Sequence, residues 1–130
     1  MAATGGNKQP WEFVVVTEKA TIDALKVAAA WMERSAAIIA LVMDPGSRWW
    51  IEDGSAAIEN ILIAATAMGY GSCWLEGWTL PREDEFKELL SIPADKRLLT
   101  LIPIGVPASW PTREKKPREE VLYWEKYGAI

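Results

Sequence analysis

The stretch DGSAAIENILIAATAM, from Asp53 to Met68, decides how the rest of the chain must be arranged. Asp53 or Ser55 can cap a helix at its start, and Gly69 and Gly71 follow its end as helix stops. Between Ile58 and Ala67 only Glu59, Asn60 and Thr66 interrupt an apolar surface. A helix without a polar face must be covered on most sides. In a chain of 130 residues, that places it at the centre of the fold or in a contact between subunits.

Upstream of this helix, Ala36 to Met43 (AAIIALVM) has the composition of a buried strand, stopped by Asp44-Pro45-Gly46. A Trp-rich link, Ser47 to Glu52, joins the two. Further upstream, Glu12 to Thr17 (EFVVVT) reads as a short buried strand after a Gly-rich loop of ten residues. Glu18 to Arg34 reads as one helix, with Ile22, Leu25, Ala29 and Met32 on its inner face. Downstream, Ser72 to Leu75 is extended. Pro81 opens a short surface helix over Arg82 to Leu90, whose acidic first turn suits the helix dipole. Leu98 to Val106 is a third buried strand, and Pro103 predicts an edge position or a bulge near its end. From Pro107 the chain is a proline-containing, charged tail. It ends in Val121-Leu122-Tyr123-Trp124, apolar enough to need a docking place. The alternation of strands and helices predicts one α/β (α+β) domain over residues 1–130, a mixed sheet flanked by helices.

Composition narrows the chemistry. With 18 acidic and 14 basic residues the net charge is −4, which disfavours nucleic acid as a partner. No apolar run approaches the roughly 18 residues that span a bilayer, and the start lacks signal-peptide character. A cytoplasmic location is expected. Histidine is absent and Cys73 is the one cysteine, so imidazole-based catalysis, imidazole zinc sites and intrachain disulfides are all excluded. Cys73 beside Trp74 reads as an inert thiol. No catalytic side chain and no metal ligand is predicted; an enzyme of this composition needs a bound cofactor to carry its chemistry. Eight tryptophans offer core filling or stacking surfaces for a planar ligand.

Four segments, taken in order, carry a resemblance. They are Asn7-Lys8-Gln9-Pro10-Trp11-Glu12-Phe13, then Asp53 to Asn60 with the apolar run behind it. The third is Gly69-Tyr70-Gly71-Ser72-Cys73-Trp74-Leu75-Glu76-Gly77-Trp78. The fourth is Pro103-Ile104-Gly105-Val106-Pro107 with the later Arg113 to Val121 and Tyr123-Trp124. Together they resemble the Asn-x-Gln-Pro-Trp loop, dimer helix, Gly-rich flavin turn and basic tail of the nitroreductase family, over residues 4–128.

The resemblance implies an FMN-dependent homodimer whose C-terminal tail is exchanged onto the partner. It would move electrons from NAD(P)H to a small-molecule acceptor such as a nitroaromatic or a quinone. Thr4 and Asn7 would then offer a hydroxyl and an amide to the flavin, and Gly5 would let the backbone pass close to it. Trp74, Leu75, Glu76 and Gly77 would lie along the ring, with a backbone N–H donating to it. Arg113 and Lys115 would grip the phosphate, and Asp53 would face the cofactor across the dimer. Lys116 and Arg118 read as solvated charge.

Full-length relatives open with an Arg-Arg-Ser-x-Arg-like segment. In this sequence Met1 stands almost directly before the Gln-Pro-Trp loop, and Ala3-Thr4 replace the usual Pro-Ser. Without those arginines, two or three charge-assisted contacts of about 1.5–3 kcal/mol each are missing, so weakened FMN binding is expected. The competing reading is a non-catalytic dimeric module that binds flavin or another planar ligand weakly.

Overall fold

The structure is a computed structural model that describes residues 2–129. Four strands form one sheet in the order β1-β2-β4-β3, with β1 at Trp11–Val16, β2 at Ala37–Met43, β3 at Gly71–Ser72 and β4 at Arg97–Gly105. All three ladders are antiparallel. The helices are α1 (Lys19–Leu25), α2 (Trp50–Ala67), α3 (Glu76–Thr79) and α4 (Glu83–Leu89).

Alternation along β2 divides the core into two layers. Ile38, Ala40 and Val42 point to one face and pack with Ile22, Leu25, Met32, Phe86, Leu98 and Leu101. Leu41 and Met43 point to the other and pack with Ile58 of α2, Leu99 and Ile102, flanked by the half-buried Trp11, Trp50 and Trp74. This is the period-two pattern of a strand buried on both sides.

The expected single helix over Glu18 to Arg34 is broken. It runs only to Leu25, and Ala29 is extended before a 3-10 turn over Ala30–Arg34. The register explains the break: Val16 at the end of β1 pairs with Ile38 at the start of β2. The connection must therefore return to the end of the sheet it left. One helix of 17 residues, about 25 Å long, would carry the chain away from that point. The break also shifts the inner face, so that Ala28 rather than Ala29 is buried.

Helix α2 has the opposite task. Met43, at the end of β2, pairs near Arg97, whereas β3 pairs with Ile104 and Gly105 at the far end of β4. An 18-residue helix spans that length and lies across the sheet. It starts at Trp50, so Asp53 is in its first turn and does not cap it; Ser55 Oγ donates to the Ile51 carbonyl instead. Gly54 permits its close approach to the sheet. A Cβ there would lie 2.6 Å from Leu99 Cδ2 and 3.2 Å from Met43 Sδ. Only Asp53, Gly54, Ala57, Ile58 and Ala65 of this helix are buried, while Ile51, Ile63 and the following Met68 are exposed. One chain thus leaves much of the apolar helix uncovered.

Two further expectations change. β1 is half-exposed, with Phe13 and Val15 open to solvent, because it forms the sheet edge. Pro103 is buried within an interior strand. The two residues of β3 pair only with Ile104 and Gly105, so at Pro103 β4 has β2 as its one strand neighbour. Lys87 of α4 is buried, and its ammonium donates to the carbonyls of Ala94 at 3.0 Å and Lys96 at 2.6 Å, holding the turn that leads into β4. Beyond Pro107 the tail is almost wholly exposed, Val121 and Trp124 included.

Candidate functional site

The Gly-rich turn after α2 leads through the two-residue β3 and the irregular Cys73-Trp74-Leu75 into α3, which begins at Glu76. The extended segment expected as far as Leu75 therefore ends early, with Leu75 at ψ 33°. Two hydrogen bonds dock this turn on β4: Leu75 N–H donates to the Leu101 carbonyl at 3.2 Å, and Leu101 N–H donates to Thr79 Oγ1 at 3.2 Å. The Thr79 hydroxyl donates in turn to the Leu75 carbonyl at 2.7 Å. Leu75 and Thr79 are buried, Glu76 is half-buried, and Gly77 and Trp78 are exposed.

As the first groups of a short helix, the N–H groups of Glu76 and Gly77 have no acceptor among the described residues. A Cβ built on Gly77 would meet nothing within 4 Å, so the space over this turn is open. Trp74 is half-buried, and its indole N–H is buried without a partner. Burial pushes the Cys73 thiol up from its ordinary value, which keeps it protonated and poorly nucleophilic.

The N-terminal loop forms a second group. Gly5–Asn7 make a 3-10 turn, with Gly6 at φ +60° and Asn7 and Gln9 also left-handed at 56° and 50°. Thr4 Oγ1 accepts Gln9 N–H at 3.2 Å, and Asn7 Oδ1 accepts Gln9 Nε2 at 3.1 Å. Those bonds occupy acceptors, so the Thr4 hydroxyl hydrogen and the Asn7 amide donors stay free for another molecule. Gly5 N–H donates to Asp53 Oδ1 at 2.8 Å. Asp53 is 5% exposed, and its other oxygen, Oδ2, is buried with no partner. Gly5 also lies against Trp49: a Cβ there would fall 2.5 Å from Trp49 Cδ1. The Arg48 guanidinium covers the same indole at 4.6 Å from the ring centroid. Trp49 as the floor of this loop, and Thr79 as the anchor of the turn, were not legible as site residues.

Arg113 and Lys115 lie on the exposed tail and form no ion pair among the described residues. Of the expected site residues, the chain therefore ties the loop of Thr4, Gly5 and Asn7 to Asp53 through Gly5, and docks the Trp74-Leu75-Glu76-Gly77 turn on β4 through Leu75. No hydrogen bond joins these two groups or the tail to either, among the described residues. A cavity of about 250 Å³ beside β3, lined by Trp31, Arg34, Ser72, Cys73, Gly105 and Pro107, falls short of the usual size of a cofactor pocket.

The donors present fit a flavin mononucleotide. Two free N–H groups beside open space suit the polar edge of the ring system, and two cations without an ion pair among the described residues suit a dianionic phosphate.

Comparison with known proteins gives a consistent result. The nitroreductase family model matches residues 24–106. A protein of Archaeoglobus fulgidus named "Putative NADH dehydrogenase/NAD(P)H nitroreductase" is 36% identical over 118 residues, covering 82% of this chain and 67% of its own. A crystal structure of a protein of the same name from Bacteroides thetaiotaomicron superposes with a TM-score of 0.86 at 31% identity, covering 97% of this chain and 78% of the other. An FMN-dependent nitroreductase of Clostridium difficile shares the fold, with a TM-score of 0.81 at 20% identity over 98% of this chain and 82% of its own.

Proposed function

This chain belongs to the nitroreductase family, and from that premise we propose that it is an FMN-dependent oxidoreductase. It takes reducing equivalents from NAD(P)H and delivers them to a nitroaromatic, a quinone or a similar small acceptor. The whole chain acts as a single nitroreductase-like domain of a homodimer, located in the cytoplasm. No helix among the described residues is long and apolar enough to cross a membrane.

The observation that carries the reading is the pair of free N–H groups at Glu76 and Gly77 beside an open face. In this role the bound flavin supplies the redox centre. The protein's part is to hold and tune it. Glu76 and Gly77 donate backbone hydrogen bonds to the ring edge, stabilising negative charge there. Arg113 and Lys115 bind the phosphate. Thr4 and Asn7 add a hydroxyl and an amide, Gly5 allows close backbone approach, and Asp53 fixes the loop that carries all three.

Because no hydrogen bond joins these groups among the described residues of one chain, we propose that the complete site takes its two halves from two copies. The exposed apolar side of α2 and the undocked Val121 to Trp124 segment give a second copy two surfaces to cover. The tail is accordingly exchanged onto the partner.

The test is an FMN titration followed by the visible spectrum and by thermal unfolding, then NAD(P)H oxidation with a quinone present. Saturable binding with turnover is expected. A colourless protein without FMN-dependent stabilisation would refute the proposal. Binding without turnover at saturating FMN would mark a non-catalytic flavin-binding module.

A further inference from the structure

We propose that Thr79 is a positioning residue of the flavin-facing turn: its hydroxyl replaces a missing strand and thereby aims the Glu76 and Gly77 N–H groups. This rests on the FMN reading above.

Leu101 lies in β4 where β3 has already ended, since β3 pairs only with Ile104 and Gly105. On its other side β4 is paired with β2, where Leu101 lies opposite Ala40. The outward N–H and C=O of Leu101 therefore face a position with no neighbouring strand, and both are buried. A buried backbone pair left in that state is costly, and native chains fill it. Leu75 N–H satisfies the carbonyl at 3.2 Å. The N–H is satisfied by a side chain, Thr79 Oγ1, also at 3.2 Å.

Helix formation does not require this hydroxyl. The Leu75 carbonyl already accepts Trp78 N–H at 3.2 Å and Thr79 N–H at 2.9 Å, so α3 closes on backbone bonds alone. What the hydroxyl adds is the second link between α3 and β4. Leu75, buried in the core, fixes one end of the turn, and a second hydrogen bond four residues on fixes its orientation. The two free N–H groups lie between those two anchors, and Thr79 itself is fully buried, so its hydroxyl acts through the turn.

The test compares Thr79→Val, Thr79→Ser and the unmutated protein by FMN affinity and by the midpoint potential of bound FMN. Valine keeps the shape and removes the hydroxyl, whereas serine keeps the hydroxyl. Lys87→Met, which removes a buried tie elsewhere, controls for simple loss of stability. Thr79→Val should weaken FMN binding at least about tenfold and shift the potential. Its Leu101 amide should exchange with solvent faster even without FMN. Thr79→Ser should match the unmutated protein, and Lys87→Met should lose thermal stability while keeping affinity and potential.

Thr79→Ala removes the hydroxyl without a bulky replacement. It gives the same ordering if the valine variant does not fold. Unmutated affinity and potential in folded Thr79→Val or Thr79→Ala would overturn the inference and leave the FMN reading intact. An unmutated protein that does not bind FMN would overturn both.

Discussion

Gly5 N–H donates to Asp53 Oδ1 across 48 positions of sequence, at 2.8 Å, and this bond ties the N-terminal loop to the first turn of α2. The carboxylate is buried, and its second oxygen has no partner. Removing the acceptor should therefore free the loop. Asp53→Ala is expected to cost about 1–3 kcal/mol and to weaken FMN binding. Asp53→Asn keeps an acceptor for Gly5, so its flavin-free stability should be closer to the unmutated value than that of Asp53→Ala. Denaturant unfolding and FMN titration of both variants check this.

The Arg97–Glu83 pair sets an acid limit on stability. Burial alone would raise the Glu83 carboxyl, but it is outweighed by the Arg97 guanidinium and the Leu98 N–H, which hold it below its ordinary value. A carboxylate with a depressed folded-state pKa contributes stability that is complete above the unfolded pKa, roughly 4.3. That contribution disappears as pH falls through the lower folded value. Glu83→Gln should lose about 1–3 kcal/mol at neutral pH and converge on the unmutated curve in acid. Unfolding midpoints measured from pH 7 down to pH 3 would show whether the curves meet.

A charge on the outer side of α2 should act on assembly and spare the fold. Ile63 is 58% exposed in the single chain, whereas Ile61 is half-buried against the sheet layer. Ile63→Glu is expected to leave the circular dichroism spectrum unchanged and to split the proposed dimer in sedimentation velocity. An unmutated chain that sediments as a monomer would contradict this account of α2.

Arg113 and Lys115 can be tested by the ligand rather than by activity. Riboflavin lacks the phosphate of FMN. The double substitution Arg113→Gln and Lys115→Gln should therefore weaken FMN binding by about ten- to a hundredfold and leave riboflavin binding unchanged. The FMN affinity of the unmutated chain should also fall as salt rises. Equal losses for both ligands would remove the phosphate role.

Much of the fold could be read from local pattern. The buried character of Ala37–Met43 and Arg97–Gly105 follows from their apolar, β-branched runs, and the long helix follows from its apolar middle and the glycines behind it. Local pattern failed where a connection had to meet a distant partner. Nothing between Glu18 and Arg34 forbids a continuous helix; the pairing of Val16 with Ile38 does. Likewise Pro103 alone argues for a sheet edge, and only the shortness of β3 reconciles it with an interior strand.

The candidate site divides in the same way. Gly5, Asn7, Gly77, Arg113 and Lys115 announce themselves by residue type and motif order. Thr79 does not, because a lone threonine between Trp78 and Leu80 carries no local signal. Its role depends on where β3 stops against β4.

By itself, then, the sequence determined the long apolar helix that follows Asp53, the family, and the absence of histidine. These depend on residue type and short-range spacing. Tertiary structure decided the rest: that α2 begins at Trp50, that it buries only one side in a single chain, and that Asp53 grips Gly5 instead of capping the helix. The physical reason is that hydrogen-bond partners far apart in sequence, and the surface a helix finds to cover, are fixed only once the strands have chosen their neighbours.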